Sequence, residues 1–252
     1  MTGAHLPSRF PVAVLTGAGG GLGATTARVL GAAGIAVACV DIDGDAARRT
    51  ADAVSATGVV STSFDIDITA EDAISALADG VHDQLGPVSH LINIAGILPR
   101  SGLRDTDAQT WRRTMDVNAM APFLLTQAFA EDLKSSKYGR VINCASFAGT
   151  RGYEYTAYAA SKAALINLTS SLLFEFWGTA VTVNAVAPGA IDTPMLDQQA
   201  RARMADKTPT GRILDPADVA EYIAFLAGPL SRGVNGTTTV IDGGASALFT
   251  YK

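Results

Sequence analysis

Short apolar runs alternate with longer amphipathic segments along nearly the whole chain, and this alternation restricts the possible folds more than any other feature. The predicted strands cover residues 12–16, 35–41, 59–65, 90–94, 140–146, 181–186 and 237–242. Strands that alternate with helices indicate βαβ units, which are connected by right-handed crossovers. The sequence therefore predicts an α/β fold with a doubly wound parallel sheet and helices on both of its faces.

The length of 252 residues, with 48% apolar and 17% charged residues, fits one large core. No Pro/Gly/Ser-rich linker divides the chain and no repeat is visible, so we expect a single domain over residues 1–252, with 1–10 as a flexible leader. Residues 188–215 contain several prolines and glycines and have no clean period. Long irregular segments inside compact domains are usually functional, and this one is predicted to be a substrate lid.

Two long helices are expected, over residues 107–135 and 155–177. Pro122 lies inside the first helix and should kink it, because proline removes one backbone donor. An apolar stripe runs along the second helix, through Leu165, Leu168, Leu172 and Phe176. The stripe predicts packing against the sheet, although Leu173 and Trp177 broaden it and leave a subunit contact as an alternative.

Several classes of function are disfavoured by composition. The net charge is −5 and no Lys/Arg run occurs, which argues against a nucleic-acid partner. No apolar stretch reaches about 18 residues, and the N-terminus lacks a signal-peptide pattern, so we expect a cytoplasmic protein without a membrane partner. Cys39 and Cys144 fall in apolar runs and are expected to be buried thiols. The three histidines are scattered, so no metal site is predicted.

A glycine-rich segment, TGAGGGLG at residues 16–23, follows the first predicted strand and opens the first helix. A strand that turns directly into a helix brings backbone N–H groups toward a pyrophosphate, and side chains in the turn would hold the phosphates away. No Lys-Ser/Thr pair follows the glycines, which excludes a Walker-type loop. The segment predicts a dinucleotide site that includes Gly17, Gly21, Leu22 and Gly23.

Asp41 ends the second strand, 18 residues after Gly23. A carboxylate at this place accepts hydrogen bonds from both hydroxyls of the adenosine ribose and repels a 2′-phosphate. Neither Gly20 nor Ile42 supplies a cation for such a phosphate, so NAD is preferred over NADP. Arg48 and Arg49 on the next helix leave NADP as the alternative.

The segment YAASK places Tyr158 and Lys162 four residues apart, on one face of a helix. A free phenol has a pKa near 10, and a neighbouring cation favours the phenolate. Tyr158 would then exchange a proton with an alcohol or ketone while a hydride moves to or from nicotinamide. Ser146 ends the preceding strand at the carboxyl edge of the sheet, where ligands bind, and its hydroxyl would hold the substrate oxygen.

Taken together, these residues resemble the short-chain dehydrogenase/reductase family in its compact, single-domain form. The likeness extends from about Val12 to Gly244 and rests on the glycine motif, on Tyr158 with Lys162, and on a series of shorter matches in the family's order. Those matches are Asn93-Ile94-Ala95-Gly96, Asn118, Ser146, Asn184, Pro188-Gly189 and Thr193. Ile94 departs from the pattern, which often has a second asparagine there.

The resemblance implies a seven-stranded Rossmann sheet in the order 3-2-1-4-5-6-7 and a subunit that assembles into tetramers or dimers. It implies a catalytic tetrad of Asn118, Ser146, Tyr158 and Lys162, with Asn118 distorting its helix and helping to hold a water. The further expected cofactor contacts are Asp65, Ile66, Asn93, Ala95, Gly96, Pro188, Gly189, Ile191 and Thr193. Tyr158 and Lys162 are expected to contact the cofactor as well, with Lys162 bonding the nicotinamide ribose. Asp65 and Ile66 would flank the adenine, and the residues from Pro188 onward would face the nicotinamide.

Three functions remain open at this point. The first is an NAD-linked dehydrogenase of a cyclic or otherwise bulky secondary alcohol. Its substrate pocket would be lined by Leu98, Phe147, Tyr153, Met195 and Leu196. The second is an NADPH-dependent reductase of 3-oxoacyl thioesters carried by acyl carrier protein or coenzyme A. The third is a cofactor-binding sensor without catalysis, which the intact tetrad disfavours.

Overall fold

The computed structural model describes residues 11–193 and 198–248, and its centre is a seven-stranded parallel sheet. The strands are β1 (Val12–Thr16), β2 (Ala36–Asp41), β3 (Ser61–Asp65), β4 (His90–Asn93), β5 (Arg140–Cys144), β6 (Thr182–Pro188) and β7 (Thr238–Ile241). Their order is β3-β2-β1-β4-β5-β6-β7 and every neighbouring pair is parallel. The predicted doubly wound fold and strand order are confirmed.

Helices cover both faces of this sheet. They are α1 (Gly21–Ala32), α2 (Gly44–Ser55), α3 (Glu71–Gln84), α4 (Ala108–Met115), α5 (Ala121–Ala128), α6 (Ala130–Ser135), α7 (Thr156–Ser171), α8 (Gln198–Ala205) and α9 (Pro216–Ala227). None of the helices in the described ranges is both long and apolar enough to cross a membrane. The strands position their carboxyl ends along one edge, which is where the site is built.

Two apolar layers sandwich the sheet because successive strand residues point to opposite faces. Leu15 belongs to the layer formed with α1, α2 and α9, and its neighbour Val14 belongs to the layer formed with α3, α5 and α6. Both side chains are fully buried, as a strand covered on two faces requires. Burial of one such side chain contributes roughly 2 kcal/mol to folding.

The long helix expected over residues 107–135 is interrupted. A π-helical turn spans Asp116–Met120 between α4 and α5, and the N–H of Ala121 donates to the carbonyl of Asp116 five residues earlier. Pro122 follows at the start of α5 and lacks the N–H that, in a regular α-helix, would donate to the carbonyl of residue 118. The missing donor favours a wider turn over a regular helix, so the expected kink is a π turn.

The other long helix ends earlier than expected. α7 stops at Ser171, and the following amides of Leu173, Phe174 and Glu175 bond three residues back, which tightens the chain into turns. Leu172 and Phe176 of the apolar stripe are buried in the core, together with Leu165 and the partly buried Leu168. The predicted stripe therefore packs on the sheet, whereas Trp177 is 81% exposed.

The segment predicted to be an irregular lid also differs from expectation, because residues 198–205 form α8. Its sequence has no apolar stripe to reveal a helix, but Gln, Ala, Arg and Met are all good helix formers. The predicted leader (1–10), Met195 and Leu196 lie outside the described residues.

Candidate active site

The glycine-rich turn between β1 and α1 leaves no room for side chains at Gly17 and Gly23. Gly17 and Gly21 have φ angles of 72° and 52°, which side chains rarely allow. A Cβ on Gly17 would lie 2.8 Å from the amide nitrogen of Ala95, and one on Gly23 only 1.8 Å from the carbonyl oxygen of Gly17. Leu22 is buried in the core and anchors the helix. Only backbone atoms therefore line the turn at these glycines.

The N-terminus of α1 is open to an anion. No described side chain caps it, and its first turn contains no carboxylate. Free N–H groups and the helix dipole at such a terminus attract a phosphate. The turn, the open terminus and the adjoining cavity fit a dinucleotide.

Asp41 stands at the end of β2, beside the glycine turn. Its Oδ2 accepts a hydrogen bond of 2.8 Å from the N–H of Gly19, and its Oδ1 accepts one of 3.0 Å from the N–H of Asp43. A carboxylate has about four acceptor positions, so two remain for ribose hydroxyls. Ile42, the next residue, is 65% exposed and offers no cation.

A cavity of about 180 Å³ continues from the glycine turn across the ends of β2, β3 and β4. It brings together five of the predicted cofactor residues: Gly17, Asp41, Ile66, Ala95 and Gly96. Asp65 does not line it; a Cβ on Gly44 would lie 2.8 Å from the Asp65 side chain, which places this carboxylate at the start of α2.

The same cavity has walls that the sequence did not identify. They are formed by Val40, Ile42, Asp67, Ile68, Ile97, Arg113 and Val117. Arg113 reaches across from α4 and donates to Thr69 Oγ1 at 2.9 Å and to Asp67 Oδ2 at 3.3 Å. Asp67 directly follows Ile66, so its position just after β3 could have been predicted from the sequence. The contact between Asp67 and Arg113 joins residues 46 positions apart, and no local sequence pattern indicates it.

α7 presents Tyr158 and Lys162 to the ends of β5 and β6. Lys162 is 4% exposed, and its Nζ lies 5.9 Å from the centre of the Tyr158 ring. That Nζ donates a hydrogen bond of 2.7 Å to the carbonyl oxygen of Cys144. Burial lowers the pKa of Lys162 from its usual value, and the neighbouring Cys144 opposes the shift. The predicted phenol and amine are thus brought together.

Burial raises the pKa of Tyr158 to about 12, and a hydrogen bond between this phenol and Ser146 opposes that increase. The neighbouring Cys144 and Tyr153 raise it further. The sequence predicted a pKa lowered by Lys162, whereas in the protein alone desolvation raises it and the opposing group is Ser146. Ser146 is itself positioned by the N–H of Ala148, which donates to its hydroxyl at 3.2 Å.

Asn118 lies in the π turn and is fully buried. Its Oδ1 accepts from the N–H of Ile97 at 2.9 Å, and its Nδ2 donates to the Ile97 carbonyl at 3.0 Å and to Ser161 Oγ at 2.9 Å. A Cβ on Gly96 would lie 3.1 Å from Asn118 Oδ1 and 3.3 Å from Lys162 Nζ. The Asn118 side chain therefore joins the loop after β4 to α7.

Asn93 and Asn184 stabilise the sheet from within. Asn93 Nδ2 donates to Asn143 Oδ1 at 2.8 Å, and Asn143 Nδ2 donates to Thr169 Oγ1 at 3.0 Å, which connects β4, β5 and α7. Asn184 accepts from the N–H of Thr237 at 3.1 Å and so joins β6 to β7. These amides set the spacing of the strands that carry the site.

The residues predicted to face nicotinamide follow β6. Pro188 ends the strand, and the N–H of Gly189 donates to the Ile241 carbonyl at 2.8 Å. A Cβ on Gly189 would lie 2.7 Å from that of Asp242, so only glycine fits. Ile191 and Thr193 continue along the carboxyl edge, toward α1.

Aromatic side chains gather next to Tyr158. Phe147 packs edge-on against Tyr153, with ring centres 5.4 Å apart, and Tyr153 packs edge-on against Tyr155 at 5.3 Å. Leu98 is 44% exposed on the loop after β4. Phe147, Tyr153 and Leu98 were predicted to line the substrate pocket, together with Met195 and Leu196, which lie outside the described part of the chain.

Comparison with known proteins identifies the family of the chain. A family model described as Enoyl-(Acyl carrier protein) reductase matches residues 17–246. The chain belongs to the short-chain dehydrogenase/reductase family. It is an oxidoreductase that acts on CH–OH groups with a nicotinamide cofactor.

Three curated relatives illustrate the range of substrates. The chain is 37% identical to cis-4-hydroxycyclohexanecarboxylate dehydrogenase from Sinomonas cyclohexanicum, over 94% of this chain and 97% of that one. It is 33% identical to 2-(S)-hydroxypropyl-CoM dehydrogenase 3 from Xanthobacter autotrophicus, with the same coverage. It is 34% identical to 3-oxoacyl-[acyl-carrier-protein] reductase from Vibrio cholerae, over 92% and 96%.

A solved structure described as ribose-5-phosphate isomerase from Brucella melitensis 16M superposes with a TM-score of 0.86 and 29% identity. The alignment covers 96% of this chain and 95% of that one. The named activity differs from those of the sequence relatives, so we take only the shared fold from this comparison.

Proposed function

We propose that the protein is an NAD-dependent dehydrogenase of a cyclic or otherwise bulky secondary alcohol, with Tyr158 as its general acid/base. One observation carries the proposal: α7 brings Tyr158 and the buried amine of Lys162 together at the end of β5, next to Ser146 and at the same sheet edge as the glycine turn. Gly17, Gly21, Leu22, Gly23 and Asp41 would hold the adenosine and phosphates.

In this site Ser146 holds the substrate oxygen and Tyr158 moves its proton. The bound nicotinamide supplies the acceptor or donor of the hydride. The charge of Lys162 stabilises the phenolate that forms, and this amine is held in place by the Cys144 carbonyl. Because the side chain of Asn118 is already bonded to Ile97 and Ser161, its expected part in holding a water would fall to its main-chain carbonyl.

The preference for NAD rests on Asp41. Its carboxylate is fixed by the N–H groups of Gly19 and Asp43, so it cannot turn away from a 2′-phosphate without losing both hydrogen bonds. Arg48, a possible phosphate partner, instead contacts Asp45 at 2.6 Å. Both observations support NAD.

The aromatic cluster of Phe147, Tyr153 and Tyr155 supports a bulky apolar substrate, since rings favour flat, apolar partners. The relative that is named for a hydroxycyclohexanecarboxylate supports a cyclic alcohol. The alternative is reduction of a 3-oxoacyl thioester, which the Vibrio cholerae relative supports. A net charge of −5 and Asp41 disfavour an acidic carrier and NADPH.

Initial rates of NADH or NADPH formation and consumption separate these activities. Purified protein is assayed with cyclic and acyclic secondary alcohols and NAD or NADP, and with an acetoacetyl thioester and NADH or NADPH. We expect the highest kcat/KM for a cyclic alcohol with NAD. A higher kcat/KM for the thioester with NADPH would favour the alternative, and binding of NADH without any turnover would favour a sensor.

We also propose a homo-oligomer, a dimer or a tetramer. Phe174 and Trp177, at the end of the segment after α7, are 82% and 81% exposed, which is costly for two large apolar side chains on a monomer. Sedimentation of the double variant Phe174→Glu/Trp177→Glu should show smaller particles than the unaltered protein if they lie in a contact. The two buried free thiols, Cys39 and Cys144, support a reducing, cytoplasmic location, which cell fractionation tests.

A further inference from the structure

Two short contacts close the base of the segment that carries Thr193. The N–H of Asp192 donates to the carbonyl of Leu214 at 2.7 Å, and the N–H of Leu214 donates to the carbonyl of Ala190 at 2.9 Å. Ile191 and Leu214 thus form an isolated parallel bridge. These two hydrogen bonds join the stretches around Ile191 and Leu214 where they leave the sheet edge.

Arg201 on α8 adds a second connection to this base. Its Nε lies 2.8 Å from Oδ1 of Asp192, and its Nη2 donates to the main-chain carbonyl of Thr193 at 3.2 Å. The Nε–H does not point at the carboxylate, so the first contact is an ion pair by distance and not a well-directed hydrogen bond. One guanidinium therefore fixes two consecutive residues to α8.

Thr193 in turn lies over the glycine turn. A Cβ on Gly21 would be 3.5 Å from Thr193 Cγ2, which is ordinary contact distance. Gly21 begins α1, whose open N-terminus fits the cofactor phosphates. The residue that Arg201 holds is therefore one wall of the cofactor cleft, whereas Arg201 itself does not contact the glycine turn.

We propose that Arg201 is a positioning residue that holds Thr193 against the cofactor cleft and so strengthens cofactor binding. The proposal rests on the proposed function, because Thr193 contacts the cofactor only if a nicotinamide dinucleotide binds. Asp192 is the anionic partner through which Arg201 acts, together with the Thr193 carbonyl. α8 then sets the position of the cleft wall through one side chain.

A matched pair of variants isolates this role. Arg203 lies on the same helix, is exposed, and makes no ion pair or side-chain hydrogen bond with the residues that the structure describes. Arg201→Gln and Arg203→Gln thus change helix propensity and net charge equally, but only the first removes the contacts. Arg201→Lys keeps the positive charge but lacks the planar guanidinium with its several N–H donors, so it should lose less NADH affinity than Arg201→Gln.

Hydrogen exchange of the cofactor-free protein provides the first readout. Arg201→Gln should speed exchange of the Asp192 and Leu214 amides relative to both the unaltered protein and Arg203→Gln, with no change in the sheet. Equal exchange in the two variants would overturn the proposal, whatever the enzyme's activity.

The second readout is NADH affinity by fluorescence titration. Arg201 and Asp192 are 42% and 46% exposed, so their interaction should have the modest strength of a surface ion pair. The Kd for NADH in Arg201→Gln should therefore be about three- to fivefold higher than in the unaltered protein. Asp192→Asn should reproduce most of it, and KM for the cofactor should rise with little change in kcat. An unchanged Kd in Arg201→Gln would overturn the link to the cofactor.

The two proposals fail in different ways. If the unaltered protein bound neither NADH nor NADPH, the proposed function would be refuted and the cofactor role of Arg201 with it. The exchange data would still decide whether Arg201 holds the Asp192–Leu214 base. If NADH bound and turnover occurred but Arg201→Gln matched Arg203→Gln in both readouts, only the inference about Arg201 would be wrong.

Discussion

The Nζ of Lys162 donates a 2.7 Å hydrogen bond to the main-chain carbonyl of Cys144. This bond connects α7 to the end of β5, two residues before Ser146. The phenol of Tyr158 sits one helical turn before the amine on α7, so the same bond sets the distance between Tyr158 and the Ser146 hydroxyl. Lys162 thus has a positional effect on the site, in addition to the electrostatic effect proposed for it.

Replacement of the phenol tests the proposed acid/base directly. Tyr158→Phe should lower kcat by about 10²- to 10⁴-fold, because the phenyl ring has no hydroxyl to exchange a proton with the substrate. NADH affinity should change little, since the ring keeps its shape. Tyr138→Phe is the control, because this tyrosine is exposed before β5 and has no lysine four residues on. Activity of Tyr158→Phe close to that of the control would contradict the assignment.

The rate should depend on pH in opposite ways for the two directions. Oxidation requires Tyr158 to accept a proton and reduction requires it to donate one. Burial raises the pKa of the phenol to about 12 in the protein alone, so the phenolate is scarce at neutral pH. We expect kcat/KM for the alcohol to rise with pH from about pH 7 toward about pH 12, whereas that for the ketone should stay constant until the pH approaches about 12 and then fall. Parallel profiles would argue against one group serving both directions.

Cofactor choice should depend on the charge of Asp41. Asp41→Asn keeps an oxygen acceptor for the ribose but removes the repulsion of a 2′-phosphate, so the NAD/NADP ratio of kcat/KM should fall by about tenfold or more, which corresponds to roughly 1.4 kcal/mol. Asp52→Asn on the exposed side of α2 is the control for the loss of one negative charge. A ratio that stays the same in both variants would remove Asp41 from the specificity argument.

The glycine turn offers a pair of substitutions with opposite expectations. A Cβ on Gly23 would overlap the Gly17 carbonyl at 1.8 Å, so Gly23→Ala should distort the turn and lower the free energy of unfolding by about 1–3 kcal/mol. A Cβ on Gly20 meets nothing within 4 Å, and its backbone is extended, so Gly20→Ala should be neutral. Thermal unfolding with and without NADH measures both. Equal midpoints for the two variants would contradict this.

His90 should make stability depend on pH. Burial lowers its pKa to about 4, while a 3.0 Å contact between Nε2 and the Ala227 carbonyl opposes the shift. Between about pH 6.5 and pH 4 the unfolded chain therefore binds a proton that the folded protein does not. The contribution of His90 to stability is complete above about pH 6.5 and is lost as the pH falls toward about 4, by up to about 3 kcal/mol.

His90→Gln removes this titration and should flatten the profile. Urea unfolding at about pH 7 and about pH 4.5 measures the difference in the free energy of unfolding for each protein. The drop between the two pH values should be smaller in His90→Gln than in the unaltered protein. An identical drop would assign the acid sensitivity to other groups.

Local patterns were sufficient to predict the sheet, the glycine turn and the pair of Tyr158 and Lys162, because each depends on spacing within one or two elements. Contacts that join distant segments had no such signal. Examples are the bond from Lys162 to the Cys144 carbonyl and the reach of Arg113 to Asp67. The pKa of Tyr158 was misjudged for the same reason, since desolvation depends on everything packed around the ring.

The π turn at Asp116–Met120 also alters the geometry of the two helices after it. One extra residue in a turn rotates the downstream helix by about 100° relative to a continuous one. Leu125, Phe129 and Leu133 along α5 and α6 therefore face the core, whereas a regular helix continued from α4 would turn them away from it. Straightening this turn into a regular helix without deleting a residue would rotate Leu125, Phe129 and Leu133 away from the core, so the π turn is fixed by packing as much as by Asn118.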